Sequence, residues 1–125
     1  MPITDFLEHV HQVAELLNEL VQAGHIGTFD LQIDQRSTLR GFVKGQVHFK
    51  DGAELHFREF IDTTLAESKM MYAYRYQNAA QELVFRYDNA VHRPPLTGRE
   101  HKHTAAGIII TSVPTLEQVL NEILG

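Results

Sequence analysis

Beyond Gly24 the interval between apolar residues changes from three or four to two, and that change of period constrains the fold more than any other feature of the chain. Before it, Phe6, Leu7, Val10, Val13, Ala14, Leu17, Leu20 and Val21 give one apolar side to a helix over residues 4–23, and Gly24 supplies a left-handed stop. After it, Phe29, Leu31 and Ile33 alternate with polar residues. Two longer alternating runs, Leu39–Phe49 and Glu54–Asp62, then meet at Lys50-Asp51-Gly52 as a hairpin. A two-residue turn at Asp51-Gly52 would set Phe49 opposite Glu54 and mix the faces. A three-residue loop with Gly52 left-handed sets Phe49 against Ala53, Val47 against Leu55 and Gly45 against Phe57, and is the expected register. It leaves Lys44, Gln46, His48, His56 and Arg58 on the polar face and sets Glu59 opposite Val43, on the inward face. A carboxylate there must be paired, or burial raises its pKa.

Lys69–Gln77 and Glu82–Asp88 form a second hairpin around Asn78-Ala79-Ala80-Gln81. With Gln77 facing Glu82, one face carries Tyr72, Tyr74, Tyr76, Leu83, Phe85 and Tyr87, and the other carries Arg75, Arg86 and Asp88. Aromatic alternation is the usual pattern of a strand packed on a helix, and the same rings are flat enough to stack on bases. Gly107–Ser112, centred on Ile108-Ile109-Ile110, reads as a last buried strand. Thr115 and Gln118 make a capping box for a short helix with the stripe Leu116, Val119, Leu120, Ile123 and Leu124. The expected architecture is a single α+β domain over residues 1–125: an N-terminal helix, an antiparallel sheet of about five or six strands and a short C-terminal helix. His9, His11, Gln12, Glu15 and Glu19 fall mainly off the first helix's stripe and read as solvated surface.

With 43% hydrophobic residues, a chain of 125 residues buries one core. No apolar run approaches the roughly 20 residues that span a bilayer and no signal-peptide core opens the chain, so a cytoplasmic protein with no membrane partner is expected. The absence of cysteine excludes disulfides and thiolate chemistry. A net charge of -5 argues against broad affinity for nucleic acid. The charge is uneven, however: from Arg86 to His103 the chain has four Lys/Arg against Asp88 and Glu100, a local basic segment suited to an anionic substrate or partner. That segment also holds His92, His101 and His103, and Asn89–Glu100, with two consecutive prolines and a glycine, reads as a loop.

These residue types suit acid–base chemistry at an anionic centre. Histidine titrates near neutral pH, arginine and lysine stabilise an anion, and a carboxylate orients an imidazole or acts as a base. Cleavage of RNA through its 2′-hydroxyl needs those parts and no metal. His101-Lys102-His103 is also a fragment common in metal sites, with Asp88, His92 and Glu59 as further ligands; since no second ligand pair is identifiable, no metal or other cofactor is expected. On an extended segment His101 and His103 are expected to point to opposite sides, and in a loop to turn toward one centre. Every such mechanism requires residues 86 to 103 to come within hydrogen-bond reach of one another.

Tyr74-Arg75-Tyr76, then Phe85-Arg86-Tyr87-Asp88-Asn89-Ala90 with a histidine two residues later, and the downstream His101-Lys102-His103, are similar to the TumE-like family of toxins from prokaryotic toxin–antitoxin modules. The Asp51-Gly52 hairpin followed by Leu55 and Glu59 extends the similarity to residues 40–112. The chain departs from the family pattern at Val91, where a proline is usual, and at Gly98-Arg99-Glu100, where an aromatic-proline-histidine run is usual. The resemblance implies a small toxin neutralised by a partner antitoxin, with the apolar helices and strand edges offering surfaces for that partner or for a homodimer. A helix on an antiparallel sheet also resembles the architecture of RelE-like and barnase-like ribonucleases. The leading expectation is a metal-independent endoribonuclease toxin acting on RNA. His92, His101 and His103 would supply acid and base, Asp88 or Glu59 would orient a histidine, and Arg86 and Lys102 would stabilise the phosphate, with Tyr74 and Tyr76 contacting substrate. The alternatives are a metal-dependent nuclease or phosphotransferase and a non-catalytic interaction module.

Overall fold

A computed structural model describes residues 5–65, 69–89, 101–111 and 113–125. The chain runs α1 (Phe6–Gln22), β1 (Thr28–Gln35), β2 (Arg40–His48), β3 (Glu54–Asp62), β4 (Lys69–Gln77), β5 (Leu83–Asp88), β6 (His101–Thr104), β7 (Gly107–Ile110) and α2 (Leu116–Leu124). Among the described residues the strands form one antiparallel sheet in which each pairs with its neighbours in sequence, β1-β2-β3-β4-β5-β6-β7. This is the expected α+β order with one strand more than the sequence suggests. The addition is β6: His101–Thr104, which follows the segment read above as a loop and is given no strand there, is paired to β5 on one side and β7 on the other.

Helix α1 begins where the Asp5 side chain accepts a hydrogen bond from the Glu8 amide at 3.0 Å. It stops at Ala23, beyond which Gly24 takes φ +79°. Phe6, Val13 and Leu17 on its buried stripe meet Val43, Val47, Leu55, Phe57 and Ile61 of the sheet. Helix α2 contributes Leu116, Val119 and Leu120 to the same core and starts with the capping box of Thr115 and Gln118. Both helices therefore lie on one face of the sheet. Gly41 allows the close approach of α1, since a Cβ there would run into the Phe6 ring, and Gly45 makes room for the ring of its cross-strand partner Phe57. No helix among the described residues is long and apolar enough to cross a membrane.

The first hairpin has the register argued from its faces, with Val47 opposite Leu55, Gly45 opposite Phe57 and Val43 opposite Glu59. Phe49 donates its amide to Ala53 at 2.9 Å across a loop in which Gly52 has φ +91°. The second hairpin differs. Tyr74 faces Tyr87 and Tyr76 faces Phe85, a register two residues from the expected one, with an irregularity between Tyr76 and Gln77 that leaves Leu83 exposed. A slip of two preserves the alternation of faces, so the aromatic and charged faces are as expected although the pairs are not. β7 is likewise not a buried strand. It closes one edge of the sheet, and Ile109 remains 55% exposed.

Candidate functional site

Two adjacent cross-strand pairs on β5 and β6 build the candidate site: Asp88 faces His101, and Arg86 faces His103. Phe85 and Tyr87 alternate with them toward the helices, so Arg86 and Asp88 project from the opposite face. The same two-residue period brings His101 and His103 to one side of β6, with Lys102 on the other. The expectation that an extended segment would separate the two histidines is thus reversed, because residues two apart on a strand share a face.

Asp88 is 4% exposed and His101 1% exposed. The His101 Nε2 is hydrogen-bonded to Asp88 Oδ1. Arg86 sets its Nε 2.7 Å from Asp88 Oδ2 and its Nη2 3.3 Å from His103 Nε2. His103 Nε2 lies 3.4 Å from Asp88 Oδ2, and the two imidazole rings meet edge to face at 4.9 Å between centroids. A guanidinium only donates hydrogen bonds, so His103 Nε2 is the acceptor in its contact with Arg86, whereas a carboxylate only accepts, so His101 Nε2 carries the hydrogen in its contact with Asp88. The two histidines consequently hold complementary roles around one carboxylate. The side chain of His103 is the more accessible of the two, at 13% exposed.

The other sequence candidates lie elsewhere. Lys102 projects to the helical face, where its Nζ is 2.9 Å from Glu122 of α2 and 5.0 Å from the centroid of the Tyr87 ring. Tyr76 packs on Phe49 and Phe85 on that same face. Tyr74 is fully buried beside Glu59, and His92 lies outside the described residues. Glu59 belongs to a second polar cluster, inside the core. His9 Nε2 of α1 approaches Glu59 Oε1 at 2.7 Å, Lys69 Nζ approaches Oε2 at 2.9 Å, and the Tyr74 hydroxyl donates to Oε2. Lys69 also donates to the Tyr74 oxygen and, at 2.9 Å, to the carbonyl of Pro114 ahead of α2. Burial alone would raise the Glu59 carboxyl, but the His9 hydrogen bond, the Lys69 charge and the Tyr74 hydroxyl outweigh it and bring the pKa down to about 2. Burial and the neighbouring Glu59 push the Tyr74 hydroxyl well above its ordinary value, so it stays protonated and donates.

The sequence reading missed His9 and Lys69. His9 stands three residues after Phe6 and four before Val13, so a polar residue on the helix stripe was the available signal. Lys69 had none: it pairs with Ile61 only because the register breaks between Phe60 and Ile61, which turns it to the helical side.

With this geometry established, the family model described as Toxin TumE matches residues 13–125. The chain belongs to the TumE toxin family. Comparison with curated proteins and with solved structures finds no match for it. In this TumE-family chain the match takes in α1 from Val13 onward and the whole sheet, well beyond the residues that carry the resemblance in sequence. The site on its β5–β6 pair brings two imidazoles and a guanidinium around one buried carboxylate, groups of the kinds that exchange protons and hold anions. One ligand atom from each of Asp88, His101 and His103 also lies within 4.8 Å of the others, an arrangement that could hold a metal ion.

Proposed function

We propose that this TumE-family toxin is a metal-independent endoribonuclease whose site is Arg86, Asp88, His101 and His103, and that a cognate antitoxin neutralises it. The observation that carries the reading is the convergence of two imidazoles in opposite hydrogen-bonding roles, with an arginine, on one carboxylate. In this reading His103 Nε2 exchanges its contact with Arg86 for a ribose 2′-hydroxyl and removes its proton, and the oxygen attacks the adjacent phosphorus. Arg86 stabilises the charge gathering on the phosphoryl oxygens. The bond to the 5′-oxygen breaks as His101 protonates it, leaving a 2′,3′-cyclic phosphate and a free 5′-hydroxyl. Asp88 orients both His101 and Arg86. Glu59, Tyr74, Tyr76 and Lys102 fall to the structural side of the molecule, since all four engage the helical face.

The single variants His101→Ala and His103→Ala should each lose growth inhibition and RNA cleavage by roughly 100-fold or more, the usual contribution of a positioned acid or base, while remaining folded. A His101→Ala/His103→Ala double variant that still cuts RNA at the parent rate sinks the proposal. The second reading, a metal-dependent nuclease or phosphotransferase, is favoured by the three close ligand atoms of Asp88, His101 and His103. Against it stands the Arg86 guanidinium, already on the Asp88 carboxylate at 2.7 Å and repelling a divalent cation placed there. Cleavage that persists in excess chelator, with a cyclic phosphate as product, selects the first reading; cleavage abolished by chelator and restored by a divalent ion selects the second.

A further inference from the structure

We infer that the sheet face opposite the helices binds the sugar–phosphate backbone of single-stranded RNA along a cationic track running from β2 to the β5–β6 site. This inference rests on the ribonuclease reading for the identity of the polyanion. Its residues occupy consecutive strands: Lys44 faces Arg58, Arg58 faces Ala73 with Arg75 two residues further along β4 on the same face, Arg75 faces Arg86, and Arg86 faces His103. Lys44, Arg58 and Arg75 are exposed, and none of them forms an ion pair with another described residue. Like charges placed directly opposite in a sheet destabilise it. Here two such pairs, Lys44 with Arg58 and Arg75 with Arg86, occur side by side on the face that no described helix covers.

The two helices carry the opposite charge. Neither helix contains a lysine or arginine, while α1 has Glu8, Glu15 and Glu19 and α2 has Glu117 and Glu122. On β2–β5 the face opposite the helices carries Arg40, Lys44, Arg58, Arg75 and Arg86 against Glu54, Asp62 and Asp88; Arg40 pairs with Asp62 and Arg86 with Asp88, so the positive excess among the described residues rests on Lys44, Arg58 and Arg75. The track also has an end. On the edge strand β1 the same face carries Asp30 opposite Gln46 and Asp34 opposite Phe42, which repel a polyanion beyond β2. From β2 to β6 a bound strand would cross four interstrand gaps, about 19 Å at the usual ~4.8 Å spacing, enough for several nucleotides. A polyanion lying along this line arrives at Arg86 and His103, which is where the proposed chemistry needs a phosphate.

The test uses the full chain and a Lys44→Gln/Arg58→Gln/Arg75→Gln variant, whose substitutions are exposed and lie outside the proposed catalytic group. Binding of a labelled single-stranded RNA of roughly ten nucleotides, within the ~4–16 that single-strand sites cover, is measured with His103→Ala in both proteins so that the probe survives. The track predicts at least tenfold weaker binding by the triple variant near 0.1 M salt. Its log–log salt slope should be shallower by about 2, from ~0.7 for each of three lost phosphate contacts. With His103 intact, cleavage of the long RNA should suffer through KM, while cleavage of a dinucleotide that reaches only the site stays unchanged. Equal RNA affinity of the two proteins, or no RNA binding by the parent at low salt, overturns the inference. Equal RNA affinity combined with weakened binding of the purified antitoxin assigns the face to that protein instead. RNA binding that depends on the track without any cleavage by the parent keeps the inference and removes the ribonuclease reading.

Discussion

Glu59 shows how one residue acquires its character from its neighbours. Its carboxyl titrates at about 2 in the fold against an ordinary value of 4.5, so the folded state holds fewer protons on it than the unfolded chain through that interval. The stability it contributes is complete above pH 4.5 and is lost as pH falls toward 2. At 1.36 kcal/mol per unit, the difference is of order 3 kcal/mol. Denaturation of the parent and of Glu59→Gln across pH 7 to 2 should give curves that converge by about that amount on acidification; parallel curves would show that Glu59 is not the group responsible. Glu59→Ala should cost more at neutral pH, about 3–5 kcal/mol, because it strands Lys69 in the core, and a Glu59→Leu/Lys69→Met double variant should recover much of the loss.

At the scale of the element, β6 separates two tasks within three residues. Its alternation sends His101 and His103 to the face opposite the helices and Lys102 to the helices, where Glu122, Tyr87 and Phe85 receive the ammonium group. Lys102→Gln is therefore expected to weaken the docking of α2, with a stability loss of about 1 kcal/mol or less as for a partly exposed ion pair, and to leave RNA cleavage at the parent rate. A large fall in cleavage at unchanged stability would return Lys102 to the site. The strand was illegible in sequence because four polar residues beyond a proline-containing segment have no apolar alternation, and only pairing to β5 and β7 makes them extended. The first hairpin was legible for the opposite reason: its alternation is continuous, and a single left-handed glycine admits one register that keeps both faces unmixed.

The sheet acts as a partition, with the Glu59 cluster on its helical side and the Asp88 cluster on the face opposite. The two are expected to be thermodynamically independent. Combining Glu59→Gln with His103→Ala should give a stability change equal to the sum of the single changes within about 0.5 kcal/mol, as for separated sites without shared partners. If the proposed RNA cleavage holds, Glu59→Gln alone should leave it unchanged at neutral pH. Coupling well above that margin, measured by a double-mutant cycle in urea, would mean that the sheet transmits strain between its faces.

The sequence by itself determined the α+β class, the helices with their caps, and the face on which nearly every strand residue lies, because these depend on periods of 3.6 and 2 and on local turn chemistry. It also flagged Glu59 as a carboxylate requiring partners, and Arg86, Asp88, His101 and His103 as one candidate group. Only the tertiary structure decided which candidates meet. Glu59 went to His9, Lys69 and Tyr74, partners 50, 10 and 15 residues away in the chain, and a register break turned Lys69 inward. Asp88 went to His101 and Arg86 to His103 because β6 joins β5 antiparallel. Strand pairing is a long-range contact set by the packing of whole faces, and the residues it brings together carry no mark of it in their local sequence.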